Sequence, residues 1–210
     1  MILASQSPRR RELLSDAGFE LEIAPADIDE SRREHETPVQ LVERLAAGKA
    51  DEACRTLDHA PSDGLLVAAD TIVWMGDEAL GKPVDASDAM TMLGELSGRT
   101  HHVSTGVCAV RLSPSGRLLA SSSFVETTDV TFWDLTEAQI RAYVDTGEPL
   151  DKAGAYGIQG AGRLLVREIK GDYFNVVGLP IARLVRVLGS LVEDGSDLVS
   201  DAMRIGGAHA

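Results

Sequence analysis

A chain of 210 residues that is 44% hydrophobic can bury a full core, as one large domain or two small lobes. Its formal net charge of -13 and pI near 4.7 argue against a general nucleic-acid binder, because phosphate backbones reward clustered Lys and Arg. No apolar run approaches the ~18 residues that span a bilayer, and the N-terminus lacks a basic start followed by an apolar core, so a soluble, cytoplasmic protein is expected.

Residues 1–4 are apolar and lead into Ser5-Gln6-Ser7-Pro8-Arg9-Arg10-Arg11. Ser7 as N-cap, Pro8 at the first helical position and Gly18 at the end predict a helix over 8–17. Three arginines in its first turn oppose the positive end of the helix dipole, at roughly a few tenths of a kcal/mol each. Either the turn is simply solvated, or an anion such as phosphate sits against its free amides. Residues 19–24 alternate as a strand, and Asp27-Ile28-Asp29-Glu30-Ser31 forms an acidic loop, a feature that is usually just solvated. Thr37-Pro38-Val39-Gln40 is a capping box that opens a helix to about residue 57. Val42, Leu45, Ala46 and Ala53 share one face of that helix. Lys49 falls on the same face, where it either snorkels or points at a buried anion. Lysine is scarce: only Lys49, Lys82, Lys152 and Lys170 among 20 basic residues, so each is a candidate for a specific task.

Leu65-Leu66-Val67-Ala68-Ala69-Asp70-Thr71-Ile72-Val73 reads as a strand buried on both faces, where an unpaired charge costs on the order of several kcal/mol. Asp70 therefore needs a partner. A metal ion or a phosphate-binding lysine would make this an active site; the plainer alternative is a cap on the following turn. After a turn at Gly76-Asp77, residues 78–80 return as a short strand and bring Gly81-Lys82-Pro83 beside the Asp70 end. Gly76 to Lys82 fits G-x-x-x-x-G-K, but Pro83 replaces the hydroxyl residue that would hold magnesium and removes a phosphate-cradling amide, so a P-loop is excluded. What survives is a lysine across a hairpin from a buried aspartate, a pair able to hold a metal-bound triphosphate.

Asp85 caps a predicted helix through residue 96, with Ala89, Met90, Leu93 and Leu96 on its core face and Gly98 closing it. Residues 99–112 and 118–132 read as a long hairpin about Ser113-Pro114-Ser115-Gly116, and His101 and His102 on its first strand are taken as structural. Thr136 opens another capped helix through residue 145. The segment 147–160 holds four glycines that permit close approach to a ligand, and Asp151, Lys152 and Gln159 supply a charge pair and an amide that can read a base. Residues 164–169 read as a strand, 171–175 as a turn with polar handles, and Pro180 as the start of a last helix through about 192. Beyond it, 193–210 reads as a C-terminal tail, either disordered or a short helix built around Leu198, Val199 and Ala202. Cys54 and Cys108 lie far apart without a CxxC or Cys/His cluster, so neither a disulfide framework nor a zinc site is indicated.

Taken together, Leu3-Ala4-Ser5-Gln6-Ser7-Pro8-Arg9-Arg10, Ala69-Asp70-Thr71, Gly81-Lys82-Pro83, Leu96-Ser97-Gly98 with His101, Asp151-Lys152-Ala153-Gly154-Ala155-Tyr156-Gly157-Ile158-Gln159-Gly160 and Asn175-Val176-Val177-Gly178-Leu179-Pro180 resemble the Maf family of nucleoside triphosphate pyrophosphatases. The resemblance covers about residues 1–190, with its motifs in order, and implies a single catalytic domain over 1–192. The implied fold is α/β: a mixed, twisted central sheet flanked by helices, in two lobes around a cleft, similar to inosine triphosphatase. The implied reaction splits a nucleoside triphosphate between the α and β phosphates, with a divalent cation, Mg2+ or Mn2+. By the same resemblance Asp70 is the catalytic aspartate, Glu30 and Asp70 the metal-holding acids, and Ser7, Arg10, Lys49 and Lys82 the phosphate contacts. Arg9, Thr71 and Gln159 correspond to positions associated with selectivity, in the combination of the dTTP/UTP branch rather than the 7-methyl-GTP branch. Lys152 joins the substrate-binding set, with pairing to Asp151 as its alternative role. The implied partner is the nucleotide substrate, without nucleic acid or membrane, and homodimerisation stays open. Two other readings stay open as well: the same chemistry on 7-methyl-GTP or other modified nucleotides, and a nucleotide-binding regulator of cell division without turnover.

Overall fold

The computed structural model describes residues 1–57, 59–61, 63–192 and 196–206; the remainder of the expected tail, 193–195 and 207–210, lies outside the described residues. Strands β1 (Ile2–Leu3), β2 (Glu22–Ile23), β3 (Leu65–Met75), β4 (Glu78–Leu80), β5 (Thr100–Leu112), β6 (Leu118–Phe132) and β7 (Val166–Lys170) form one sheet. Its order is β2-β1-β3-β5-β6-β7, with β4 paired to β3 off that path. The pairs β2-β1 and β1-β3 are parallel and the others antiparallel, so the sheet is mixed, as the family resemblance implies.

Helices α1 (Pro8–Asp16), α2 (Pro38–Thr56), α3 (Ala86–Leu96), α4 (Glu137–Val144), α5 (Tyr173–Val177), α6 (Ile181–Leu191) and α7 (Leu198–Gly206) flank it. Their starts are chemical. Ser7 and Asp85 accept from the amides of Arg10 and Asp88, and Thr37 and Thr136 form full capping boxes with Gln40 and Gln139. Even-numbered residues of the first half of β3, Leu66 and Ala68, pack under α2 with Ala46, Ala50 and Ala53. The odd-numbered Leu65, Val67 and Ala69 face the other way, onto Leu14 of α1 and Leu184 and Leu188 of α6. Farther along the same face Val73 joins Leu93, Phe132, Ile140 and Tyr156 beneath α3 and α4.

Three elements depart from the sequence reading. The strand expected over 19–24 shrinks to Glu22–Ile23, because its partner β1 offers only two residues and the Phe19 amide closes α1 on the Leu14 carbonyl. The strand expected from 164 begins at Val166, since Leu165 still closes a tight turn on Gly162. The turn at 171–175 runs into a short helix, because the Asp172 carboxylate accepts from the amides of Phe174 and Asn175. Of the two alternatives for the tail, the short helix is the one formed: it runs Leu198–Gly206, and its Ile205 sits against Gly18.

His101 is structural. It is fully buried, its Nε2 shares a 2.9 Å hydrogen bond with the Tyr156 hydroxyl, and its ring packs edge-on against Phe132 and Tyr156. Burial, and then the neighbouring His102, push its pKa from the ordinary 6.5 down to about 4. The fold holds the neutral ring, so its contribution to stability is complete above about pH 6.5 and is lost as pH falls through about 4. Thermal melts across that window should show the melting temperature falling on acidification, and His101→Gln should flatten the slope. Equal slopes in both proteins would place the acid sensitivity elsewhere.

Candidate active site

Strand β1 ends with Leu3 beside Val67, and the antiparallel β4 ends with Leu80 beside Val73. Both lie on the same edge of β3, since β5 occupies the other edge from Leu65 to Trp74. Among the described residues no strand covers that edge over 69–72. A cleft of about 1070 Å³ opens at this gap. Successive strand residues point to opposite faces of a sheet, yet at an uncovered edge both faces are reachable, and Asp70 and Thr71 both line the cleft. So do Ser7, Arg9, Arg10, Glu30, Lys49, Lys82, Lys152 and Gln159, which brings every site residue expected from the sequence to one place.

On the α2 face, Lys49 Nζ lies 2.6 Å from Asp70 Oδ1 and 2.7 Å from Glu30 Oε1. Lys49 and Asp70 are largely buried, with side chains 12% and 14% exposed, whereas Glu30 is 60% exposed on its loop. This answers why a buried carboxylate is tolerated in an apolar strand: an ammonium group neutralises it at hydrogen-bond distance. Gly106 makes the contact possible. It pairs with Asp70 across β3-β5, and a Cβ there would collide with the Val42 carbonyl of α2. The absence of a side chain lets the helix backbone lie against the sheet beside Asp70.

The loop that carries Glu30 is tied to α2 by a second charge pair. Arg44 donates from Nε and Nη2 to the two oxygens of Glu36, at 2.6 and 2.9 Å, and from Nη2 to the Ser31 carbonyl at 2.9 Å. Hydrogen bonds from Arg44 and then from the Arg33 amide lower the Glu36 pKa from the ordinary 4.5 to about 2, so this tie persists through mild acid.

On the other face, Arg10 is buried and turned inward. Its Nε donates to the Gly178 carbonyl (2.8 Å), Nη1 to the Ala69 carbonyl (2.8 Å) and Ser5 Oγ (3.0 Å), and Nη2 to Thr71 Oγ1 (2.9 Å). Four donors thus go to protein acceptors, and the Ala69 carbonyl, left without a strand partner at the gap, is satisfied by a side chain. The basic turn read as either solvated or anion-binding is therefore split: Arg10 braces the residues on both sides of Asp70, while the half-buried Arg9 faces the cleft. The Ser7 hydroxyl serves as N-cap, accepting from the Arg10 amide at 3.4 Å. Thr71 Oγ1 also bonds Thr105 Oγ1 at 2.9 Å, joining the base of the cleft to β5.

Lys82 is exposed at the cleft lip after β4. Lys152 donates to Asp151 Oδ1 at 2.7 Å and to the Glu148 carbonyl at 2.6 Å, the loop-shaping role that the sequence left open beside a direct phosphate contact. Gln159 is exposed on a turn over the cleft, whose apolar walls include Leu41, Ile72, Val73, Tyr156 and Ile158. Sequence reasoning passed over Gly106 and the Gly178 carbonyl. A glycine in the middle of a strand pattern was the available signal for the first; nothing in the sequence marks a backbone carbonyl.

The family model described as Maf-like protein matches residues 1–191. The chain belongs to the Maf family. A dTTP/UTP pyrophosphatase of Geobacillus sp. (strain WCH70) is 51% identical over 89% of this chain and 95% of that protein. Another, of Bacillus pumilus (strain SAFR-032), is 49% identical over 90% and 94%. Among solved structures, a nucleoside-triphosphatase / dITP/XTP pyrophosphatase from Mycobacterium abscessus aligns over 93% of this chain and 98% of that one, at 16% identity and a TM-score of 0.40. The Maf motifs around residues 5–10, 69–71, 81–83 and 151–160, distant in sequence, meet in this one cleft.

Gly106→Ala tests the close approach. Forcing α2 away should cost ~1–3 kcal/mol of unfolding free energy. It should also lower nucleotide hydrolysis per folded molecule, because Lys49 withdraws from Asp70. Full activity with full stability would show that the helix has slack at this point.

Proposed function

We propose that this Maf protein is a nucleoside triphosphate pyrophosphatase that hydrolyses dTTP and UTP to the monophosphate and pyrophosphate, with residues 1–192 as its catalytic domain. The observation that carries the reading is the Asp70–Lys49–Glu30 cluster, an acid of restricted solvent access held by a lysine in a cleft wide enough for a nucleotide. The names of relatives near 50% identity support the substrate class.

Water is a weak nucleophile at neutral pH, so attack on the α phosphorus needs a group to take its proton. Asp70 is that base in this reading. Its oxygen accepts the proton as the new bond from water oxygen to phosphorus forms and the bond to the α-β bridging oxygen breaks. Pyrophosphate then departs with added negative charge, which Lys82 and Lys49 offset from the walls of the cleft. Arg10 contributes by holding the Ala69 carbonyl and the Thr71 hydroxyl, and so the orientation of Asp70 between them. Gln159, which lines the same cleft as Arg9 and Thr71, offers a donor and an acceptor to a pyrimidine edge.

The donors also suit a divalent cation. Among the described residues no group of three or more His, Cys, Asp or Glu side chains could hold one, but Asp70 and Glu30 share a lysine between them, and both offer hard oxygens. Magnesium commonly binds through one or two carboxylates plus substrate phosphates, and manganese accepts similar oxygen donors. Asp70 and Glu30 would hold such an ion together with the nucleotide. When bound, it supplies positive charge to the phosphate oxygens.

Among the described residues no helix is long and apolar enough to cross a membrane. The reading places the enzyme in the cytoplasm, where Cys54 and Cys108 remain as free thiols, acting on free nucleotides rather than nucleic acid.

A pyrophosphate-release assay over a nucleotide panel, with and without magnesium, should show metal-dependent turnover of dTTP and UTP above the others. Asp70→Asn should lower kcat by about 10²–10⁴-fold while leaving nucleotide binding largely intact. Substantial residual turnover would remove Asp70 as the base, and nucleotide binding without any pyrophosphate release by the wild type would favour a regulator.

A further inference from the structure

The turn at 157–162 has unusually little freedom for a loop that carries an exposed side chain. Tyr143, a buried residue of α4, accepts from the Gly157 amide at 3.0 Å and donates to Glu148 Oε1 at 2.9 Å. Glu148 in turn accepts from the Ala161 amide at 2.8 Å through Oε2 and from the Gly162 amide at 3.4 Å through Oε1. One tyrosine-glutamate pair therefore closes both ends of the turn. The glycines fit around it. A Cβ at position 160 would meet the Glu148 carboxylate, and one at 162 would meet the Gly157 carbonyl and the Tyr143 ring. Burial of Glu148 opposes ionisation, but the hydrogen bonds from Ala161, Tyr143 and Gly162 outweigh it and hold the carboxyl below the usual range. The acceptor stays charged at neutral pH. Within the span so fixed, Ile158 is buried and Gln159 is exposed to the cleft.

We propose that Tyr143 and Glu148 are specificity-positioning residues: Tyr143 stands behind the cleft lining, Glu148 lines it but accepts from Tyr143 and the Ala161 and Gly162 amides, and together they set the height and angle at which Gln159 meets the nucleobase. A side chain that discriminates by hydrogen bonds does so only while its donor and acceptor stay registered with the base edge, and a slack turn would blur one pyrimidine into another. The proposal rests on the reading of Gln159 as a base contact.

The test is steady-state kinetics of Tyr143→Phe and Glu148→Gln on dTTP, UTP, dCTP and dGTP, at temperatures well below each variant's melting point. Both variants keep the shape of the original side chain and remove part of the clamp. Expected is a rise of about tenfold in KM for dTTP and UTP with kcat little changed, so that preference for them over dCTP falls by a similar factor. A uniform loss on all four nucleotides, or no change, overturns the proposal. Should Tyr143→Phe not fold, Glu148→Gln carries the test alone. Gln159→Glu separates the two levels of the argument. Uniform loss there sinks the base contact itself, whereas selective loss there without any in the clamp variants sinks only the clamp. Adding Tyr143→Phe to Gln159→Ala should change selectivity no further, because the positioned group is already gone; a further drop would show that the clamp acts on something else.

Discussion

A strand whose neighbour stops short is the constraint on which this site depends. β1 covers the edge of β3 as far as Val67, and β4 resumes at Val73, so the intervening residues have backbone and both side-chain faces available to the cleft. Unpaired backbone groups in such a place must find other partners. The Ala69 carbonyl takes an arginine from α1, and that same guanidinium holds Thr71 and Gly178. The result is a rigid edge from which one residue presents a carboxylate toward α2 and the next presents a hydroxyl toward α1. Chemistry and selectivity can then act on one ligand from the two faces of a single strand.

Charge placement follows from that geometry. A buried aspartate is stable only when neutralised, and Lys49 reaches it because Gly106 lets α2 lie close against the sheet. Glu30 shares the same ammonium group from a loop that the Glu36–Arg44 pair ties down. In a chain of net charge -13, Arg9, Lys49 and Lys82 nonetheless converge on one cleft. Arg10 and Lys152 line it too, against Glu30, Asp70, Glu148 and Asp151, so the cleft is close to charge balance within a strongly acidic chain.

Much of this was readable in the sequence, for identifiable reasons. Capping boxes at Thr37 and Thr136 and the apolar run around Asp70 are local patterns, and they mark α2, α4 and β3 correctly. The scarcity of lysine marked Lys49, Lys82, Lys152 and Lys170 alike: the first three line the cleft and Lys49 meets the buried acid, whereas Lys170 ends β7 outside that lining. Less visible were features that exist only in three dimensions. Arg10 resembles a phosphate ligand in a motif, but four of its five donors go to the Gly178 and Ala69 carbonyls and the Ser5 and Thr71 hydroxyls. Likewise, Tyr143 and Glu148 lie before the glycine-rich segment they clamp, and only the folded loop brings them to its two ends. The short β2 and the helix after Asp172 were misread because strand length depends on the partner, and because one cap can turn a polar turn into a helix.

The most direct test of the central claim, that Asp70 directs water onto the α phosphorus, is hydrolysis of dTTP in 18O-labelled water with the products resolved by mass spectrometry. The label should appear in the nucleoside monophosphate and not in pyrophosphate. Label in pyrophosphate would mean attack on the β phosphorus, and would contradict a mechanism in which the water that Asp70 activates reaches the α phosphorus.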